Sequence, residues 1–125
     1  MDRPNGIALS PDESQLFISN TGDIKYIRRY DINKNLKITK PIVFAKAAPN
    51  YIFDGFRFDA DKNLWTSCGN GVGCYNQSGE QIGYIKIPEQ VSNLDFGGFD
   101  GKRLFITASK SFYMISLNIK GAKFM

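Results

Sequence analysis

Apolar and polar residues alternate along most of this chain in short runs that break at Gly, Asn, Asp and Ser. Runs such as YIRRYDI, PIVFAK, VGCYNQ and QIGYIKI have the two-residue period of β-strands. No segment keeps the 3.6-residue apolar period of a helix over a helical length. The pattern therefore predicts an all-β chain of short antiparallel strands.

Three stretches of the chain share one form, a short strand, an Asp-containing turn and an apolar strand that ends in Ser or Thr. They read PNGIALSPDESQLFIS, DGFRFDADKNLWTS and SNLDFGGFDGKRLFIT. Aligning them brings Asn5, Asp54 and Asn93 together near the start of each copy. The later positions that coincide are Asp12, Asp61 and Asp100, then Leu16, Leu64 and Leu104, then Phe17, Trp65 and Phe105.

The spacing of these copies predicts the architecture. Asn5, Asp54 and Asn93 are separated by 49 and 39 residues, and periods in this range are typical of solenoids and propellers. Two further strands follow each of the first two copies, which gives the four antiparallel strands of a β-propeller blade. We therefore expect one partial β-propeller over residues 1–125, with blades at about 3–49, 50–90 and 91–125. Only KGAKFM follows the third strand of the last blade, so its fourth strand is not predicted.

The position of Asn5 and Asp54 suggests a site. The first strand of each propeller blade lines the central channel, so residues at its entrance meet at the channel mouth. Two oxygen donors from adjacent blades, with no His, suit a hard cation such as Ca²⁺ or Mg²⁺. The competing interpretation is structural, because Asn-Gly and Asp-Gly pairs are common in turns. The residue pattern alone leaves both interpretations open.

Composition narrows the function classes. The 125 residues are 42% hydrophobic, which is enough for one packed domain. Without His, the chain cannot form a Ser-His-Asp triad, a Cys-His pair or a His-ligated zinc site. Its two cysteines, Cys68 and Cys74, flank the turn sequence GNGVG, which favours two small residues on neighbouring strands over a disulfide.

Charge and hydropathy bear on partners and location. The net charge of +4 includes a cluster of basic residues between Lys25 and Lys40, but these alternate with apolar residues as on a solvated strand face. We therefore predict no nucleic-acid partner. No apolar run approaches the roughly 20 residues of a membrane span, so no membrane partner is predicted either. The sequence MDRPNGIALSPDE lacks the pattern of a signal peptide, and a cytoplasmic location is the expectation.

The three repeated stretches, with the ending SFYMISLNIKGA, resemble the SMP-30/gluconolactonase/luciferin-regenerating enzyme family, and most closely the bacterial gluconolactonases. The likeness runs over almost the whole chain in the family's order and spacing. It implies a six-bladed propeller of roughly twice this length, of which this chain resembles the C-terminal half. The N-terminal half of the family fold would then be absent here.

The resemblance implies a hydrolase that opens sugar lactones of the glucono-1,5-lactone type to aldonic acids. It implies a divalent cation as cofactor, with Ca²⁺ expected first and Mg²⁺, Mn²⁺ or Zn²⁺ as alternatives. By motif match, Asn5 and Asp54 would be metal ligands, and Asp54 would also take the proton from the attacking water. Asn93 is a further contact expected at the channel mouth, without an assigned ligand role.

The sequence departs from the family in lacking the half that holds a Glu ligand and the substrate-contacting Arg and Asn residues. Two alternatives to an active lactonase therefore stay open, a non-catalytic β-propeller binding module and an inactive fragment of such an enzyme. A third is a related propeller of the strictosidine synthase-like group, against which the DG and FGG motifs speak. Self-association that completes the propeller is a further expectation.

Overall fold

The computed structural model describes residues 1–125, which form eleven strands in three antiparallel sheets. The predicted all-β class is confirmed. The first sheet contains β1 (Pro4–Leu9), β2 (Gln15–Asn20), β3 (Tyr26–Ile32) and β4 (Ile38–Lys46). The second contains β5 (Phe56–Phe58), β6 (Leu64–Ser67), β7 (Gly71–Tyr75) and β8 (Gln81–Lys86). The third contains β9 (Val91–Gly97), β10 (Arg103–Ala108) and β11 (Phe112–Ser116).

Each sheet is a meander in which strands that follow one another in the chain lie side by side. The first strands of the three sheets, β1, β5 and β9, are neighbours in space. This is the arrangement of consecutive β-propeller blades around a channel. We call the three sheets blade 1, blade 2 and blade 3. The one helical element is a single 3-10 turn at Ala122–Phe124, and the chain has no helix that could span a membrane.

One turn geometry joins the first two strands of every blade. The fourth residue of each turn, Glu13, Lys62 or Gly101, donates its backbone N–H to the carbonyl of the first and has φ between 62° and 74°. The aligned residues Asp12, Asp61 and Asp100 all immediately precede that left-handed position. The Asp repeat in the sequence therefore marks a repeated turn rather than a site.

Aromatic residues fill the space between blades. Phe17 on β2 packs edge-on against Phe58 of blade 2, with ring centroids 4.9 Å apart. Trp65 on β6 makes the corresponding contact with Phe96 of blade 3 at 6.2 Å. Trp65 therefore belongs to the inter-blade core. Phe105, the third residue of the series, is 40% exposed.

The C-terminal residues fold back instead of adding a strand to blade 3. The backbone of Ala60 donates to the carbonyl of Lys120 at 2.8 Å, and Gly121 forms an isolated bridge with Asp59. Phe124 packs against Gly101 in the turn of blade 3. The last residues thus tie the turn of blade 2 to that of blade 3.

Candidate functional site

The entrance segments of β1 and β5 are anchored by serines at or near the ends of the neighbouring strands β2 and β6. The backbone N–H of Gly6 donates to Ser19 Oγ at 2.7 Å, and that of Asp54 donates to Ser67 Oγ at 2.7 Å. Both serines are fully buried. The Ser at the end of each of the first two repeated stretches therefore fixes the backbone beside Asn5 or at Asp54.

Backbone contact between blades explains the glycine that follows Asn5 and Asp54. A Cβ on Gly6 would lie 1.9 Å from the carbonyl oxygen of Asp54, and one on Gly55 would lie 2.0 Å from Oδ1 of Asn93. Neither glycine has a positive φ, and Gly6 lies inside β1. These glycines therefore permit close approach of adjacent blades rather than forming the turns that the sequence pattern allowed.

Asp54 lies half-buried at the end of this contact. Burial raises the pKa of its carboxyl group, and the neighbouring side-chain amide of Asn5 opposes part of that rise. No cationic side chain pairs with Asp54. The two salt bridges of the chain both involve a different carboxylate, Asp95. Asp54 is thus a partly desolvated carboxylate beside an amide, without a positive partner.

This pair of side chains fits part of a divalent-cation site. Carboxylate and amide oxygens are ligands that Ca²⁺ and Mg²⁺ accept, and a nearby cation would relieve the unfavourable burial of the Asp54 charge. Nowhere in the chain do three His, Cys, Asp or Glu side chains gather into a metal-binding group. Asn5 and Asp54 would therefore hold a cation only with further oxygen ligands from water, substrate or another part of the protein.

Strand register places Asn93 one residue away from its aligned position. The pairs Leu9 with Leu16, Phe58 with Leu64 and Phe96 with Leu104 are equivalent in the three blades. Counting back from them, Ser92 takes the place of Asn5 and Asp54, and Asn93 takes the place of the two glycines. The third hairpin is one residue longer than the first, and alignment of the stretches by sequence did not reveal this difference.

Asn93 nevertheless lies beside the candidate site. Its Oδ1 accepts a hydrogen bond from the backbone of Leu94 at 2.9 Å, and the same atom faces Gly55, which follows Asp54 in the chain. The side chain is exposed and its Nδ2 makes no hydrogen bond within the protein. The amide is therefore free to donate a hydrogen bond to another molecule.

A hollow of about 310 Å³ opens on the blade 3 side of Asp54. Gln90, Ser92 and Ser109 contribute polar side chains to its wall. Gln90 and Ser109 were not predicted as site residues because they lie outside the repeated stretches, and Ser92 was not predicted because the sequence alignment placed Asn93 at its position. Of the three, only Ser92 could have been found from the sequence, by shifting the third repeat by one position.

Other reactive side chains lie elsewhere and are unsuited to the same chemistry. Cys68 and Cys74 are free, buried thiols, and burial raises the pKa of Cys74 to about 12. Asp95, further along the channel wall, is paired with Arg57 at 3.6 Å and with Lys123 at 2.9 Å. A thiolate nucleophile and a cation site at Asp95 are therefore both disfavoured.

Comparisons of the sequence and of the structure with known proteins both find gluconolactonase-type proteins. The family description of the SMP-30/gluconolactonase/LRE-like region matches residues 1–110. A gluconolactonase of Zymomonas mobilis is 34% identical over an alignment of 119 positions, which covers 87% of this chain and 33% of that protein. The chain thus spans about a third of the length of this curated relative.

Two solved structures show the same fold. A gluconolactonase of Xanthomonas campestris superposes with a TM-score of 0.83 at 34% identity, covering 91% of this chain and 37% of the other. A regucalcin of Agrobacterium tumefaciens, described as a calcium-binding protein, gives a TM-score of 0.84 at 22% identity. The match covers 97% of this chain and 48% of the regucalcin.

Proposed function

This chain belongs to the SMP-30/gluconolactonase/LRE-like family, and from that premise we propose that it forms part of a lactone-hydrolysing site in which Asn5 and Asp54 hold a divalent cation. The substrate class is sugar lactones of the glucono-1,5-lactone type, and the product is the aldonic acid. The observation that carries the proposal is the half-buried Asp54 carboxylate beside Asn5, with no cationic side chain to neutralise it.

Each side chain has a distinct role in this reaction. When bound, the cation supplies Lewis-acid polarisation of the lactone carbonyl and charge stabilisation of the oxyanion. Asp54 accepts a proton from the water whose oxygen bonds to the carbonyl carbon. The ring C–O bond then breaks and the proton passes to the released hydroxyl group, so that one lactone and one water give one aldonic acid.

Ca²⁺ is the cation we expect first. Its coordination by six to eight oxygens tolerates a site in which the protein supplies few of the ligands and water the rest. The likeness to a regucalcin described as calcium-binding supports this choice. Mg²⁺, Mn²⁺ and Zn²⁺ are the alternatives to Ca²⁺, and the hydrolysis assay described below compares the four cations.

A second candidate function is metal binding without turnover. It is favoured by the observation that only two ligands come from this chain and no third carboxylate lies with them. In that case the chain is a non-catalytic propeller module, or a piece whose activity resides in a longer protein. Cation binding that depends on Asp54, without hydrolysis above the spontaneous rate, would identify this case.

Hydrolysis of glucono-1,5-lactone followed by pH-stat titration tests the proposed function. We expect a rate above the spontaneous one only with an added divalent cation, and a loss of about 100-fold or more in Asp54→Ala, the lower range for a missing general base. Asn5→Ala is expected to raise the cation concentration that gives half-maximal activity. The matched control is Asp61→Ala, an exposed carboxylate in the same blade. Metal-stimulated activity that survives in Asp54→Ala would refute the assignment.

A further inference from the structure

The hollow beside Asp54 lies where blades 2 and 3 meet. Its volume of about 310 Å³ is at the lower end of the range for small-molecule sites. Asp54 comes from the entrance of β5, and the rest of the wall comes from residues 90–92 at the start of β9 and from Ala108 and Ser109 at the end of β10. The lining residues therefore belong to two adjacent blades of this chain.

Backbone hydrogen bonds fix the blade 3 side of the hollow relative to Asp54. The backbone N–H of Gly55 donates to the carbonyl of Ser92 at 3.0 Å, and that of Val91 donates to the carbonyl of Gly69 at 2.9 Å. The side chain of Val91 is buried, with 2% of the residue exposed. Since Gly55 directly follows Asp54, the distance between Ser92 and the Asp54 backbone is set by the fold.

The polar side chains of the wall keep hydrogen-bonding capacity for a ligand. Ser92 Oγ lies 3.1 Å from Oγ1 of Thr107 and 3.3 Å from its carbonyl oxygen, which orients the hydroxyl group and leaves it one acceptor position. Gln90 and Ser109 are exposed, and their side chains make no hydrogen bond within the chain. Three side chains in the wall are thus available to bind a polar molecule.

The charge of the wall indicates the kind of ligand. Asp54 is the one charged side chain among the lining residues, so nothing in the hollow beyond a cation held at Asp54 attracts an anion. The hydroxyl group of Ser and the amide group of Gln both donate and accept hydrogen bonds, as the hydroxyl groups of a sugar do. The hollow therefore fits a neutral polyhydroxylated ring better than an anion or an apolar molecule.

We propose that this hollow is the subsite for the hydroxyl groups of the lactone ring, with Gln90, Ser92 and Ser109 as its hydrogen-bonding residues. The inference rests on the proposed function, because the cation at Asn5 and Asp54 is what holds the lactone carbonyl. The ring hydroxyl groups then lie on the blade 3 side of Asp54. The three residues set a preference for polyhydroxylated lactones over lactones without hydroxyl groups.

Binding of a hydrolysis-resistant analogue tests the subsite without turnover. The probe is glucono-1,5-lactam, and the comparison compound is 2-piperidone, the same ring without hydroxyl groups. With and without Ca²⁺, we expect the lactam alone to shift the amide signals of Ser92 and Ser109 and the side-chain amide signals of Gln90 in ¹⁵N-labelled chain. Ser92→Ala should weaken lactam binding about 2- to 10-fold, the value of one neutral hydrogen bond. The matched control is Ser78→Ala, an exposed Ser in the turn after β7, which should leave binding unchanged.

Hydrolysis kinetics separate this inference from the proposed function. Ser92→Ala should raise KM for glucono-1,5-lactone and keep kcat, because a bond to a remote hydroxyl group stabilises bound substrate and transition state alike. Hydrolysis of δ-valerolactone, which has no ring hydroxyl group, should be unaffected. Lactam shifts at Ser92 and Ser109 without any hydrolysis would support the subsite and count against the proposed function.

Two results would overturn the subsite whether or not hydrolysis occurs. One is the absence of shifts at Gln90, Ser92 and Ser109 with about 100 mM lactam, a concentration that detects even very weak binding. The other is an equal shift of these signals by 2-piperidone, because the ring hydroxyl groups would then contribute nothing to binding.

Discussion

At the residue scale, the burial of the Asp54 carboxylate is unfavourable for stability but fits the proposed function. Burial favours the protonated form of its carboxyl group, so the folded chain holds that proton more tightly than the unfolded chain does. A bound cation would reverse this preference by stabilising the charged form. The residue therefore behaves as expected for a ligand whose partner is an ion rather than a side chain.

The first prediction concerns the pH dependence of stability. Because the folded-state pKa of Asp54 is raised above its usual value of 3.8, its ionisation lowers the free energy of unfolding as pH rises from 3.8 through the raised pKa. Without added metal, Asp54→Asn should therefore melt slightly higher than wild type at about pH 7 and equally at about pH 3. Thermal unfolding by circular dichroism at both pH values measures this. A lower melting temperature for Asp54→Asn near neutral pH would contradict the assigned burial.

The second prediction concerns Gly6. In Gly6→Ala the new Cβ would meet the Asp54 carbonyl at 1.9 Å and the Phe56 ring at 2.7 Å, so the entrance segments must separate. We expect a loss of about 1–3 kcal/mol in the free energy of unfolding, as for other overpacked sites, and weaker cation binding. Gly83→Ala is the control, because its Cβ would meet only the Cβ of Cys74 at 3.7 Å. Equal stability of the two variants in urea would show that the blades do not approach so closely.

At the element scale, the second hairpin depends on a buried carboxylate. Asp59 is 1% exposed and accepts four hydrogen bonds. Its Oδ1 binds the backbone N–H groups of Asp61 and Asn63, and its Oδ2 binds Asn63 Nδ2 and Trp65 Nε1 at 2.8 Å. One side chain thus shapes the turn, orients the inter-blade Trp and adjoins the C-terminal segment.

The third prediction follows from this network. Asp59→Ala would leave several buried donors without an acceptor, and we expect it to lower the free energy of unfolding by about 3 kcal/mol. The wavelength of maximum fluorescence emission of Trp65, the only Trp in the chain, should shift in the same variant. Asp61→Ala, two residues away and exposed, should change neither property. An unchanged urea midpoint in Asp59→Ala would refute the structural role.

Among the strands and turns, some features were predictable from the sequence and others were not. Strand positions were predictable because alternation and turn residues are local signals, and the Asp repeat correctly marked a shared turn. The placement of Asn93 was off by one because strand register depends on hairpin length, and the longer Gly98–Gly101 hairpin leaves no local trace in the apolar pattern. The role of the two glycines was not predictable either, since contact between blades is a tertiary property.

At the scale of the whole molecule, the sequence predicted a propeller and its repeated unit, and the structure confirmed that fold. The neighbourhood of Asn5 and Asp54 was predictable because every blade brings its inner-strand entrance to the same channel mouth. The burial of Asp54 was not predictable, because it depends on contacts between adjacent blades.

Titration of the ¹⁵N-labelled chain with Mn²⁺ tests whether Asn5 and Asp54 form one divalent-cation site. Paramagnetic broadening detects weak binding and needs no catalytic turnover. If the two residues hold the cation, Mn²⁺ should broaden the amide signals of Gly6 and Gly55 first. Asp54→Ala should abolish this broadening. Broadening that begins at the turn residues Asp12 or Asp100, or that persists around Gly6 in Asp54→Ala, would contradict the claim.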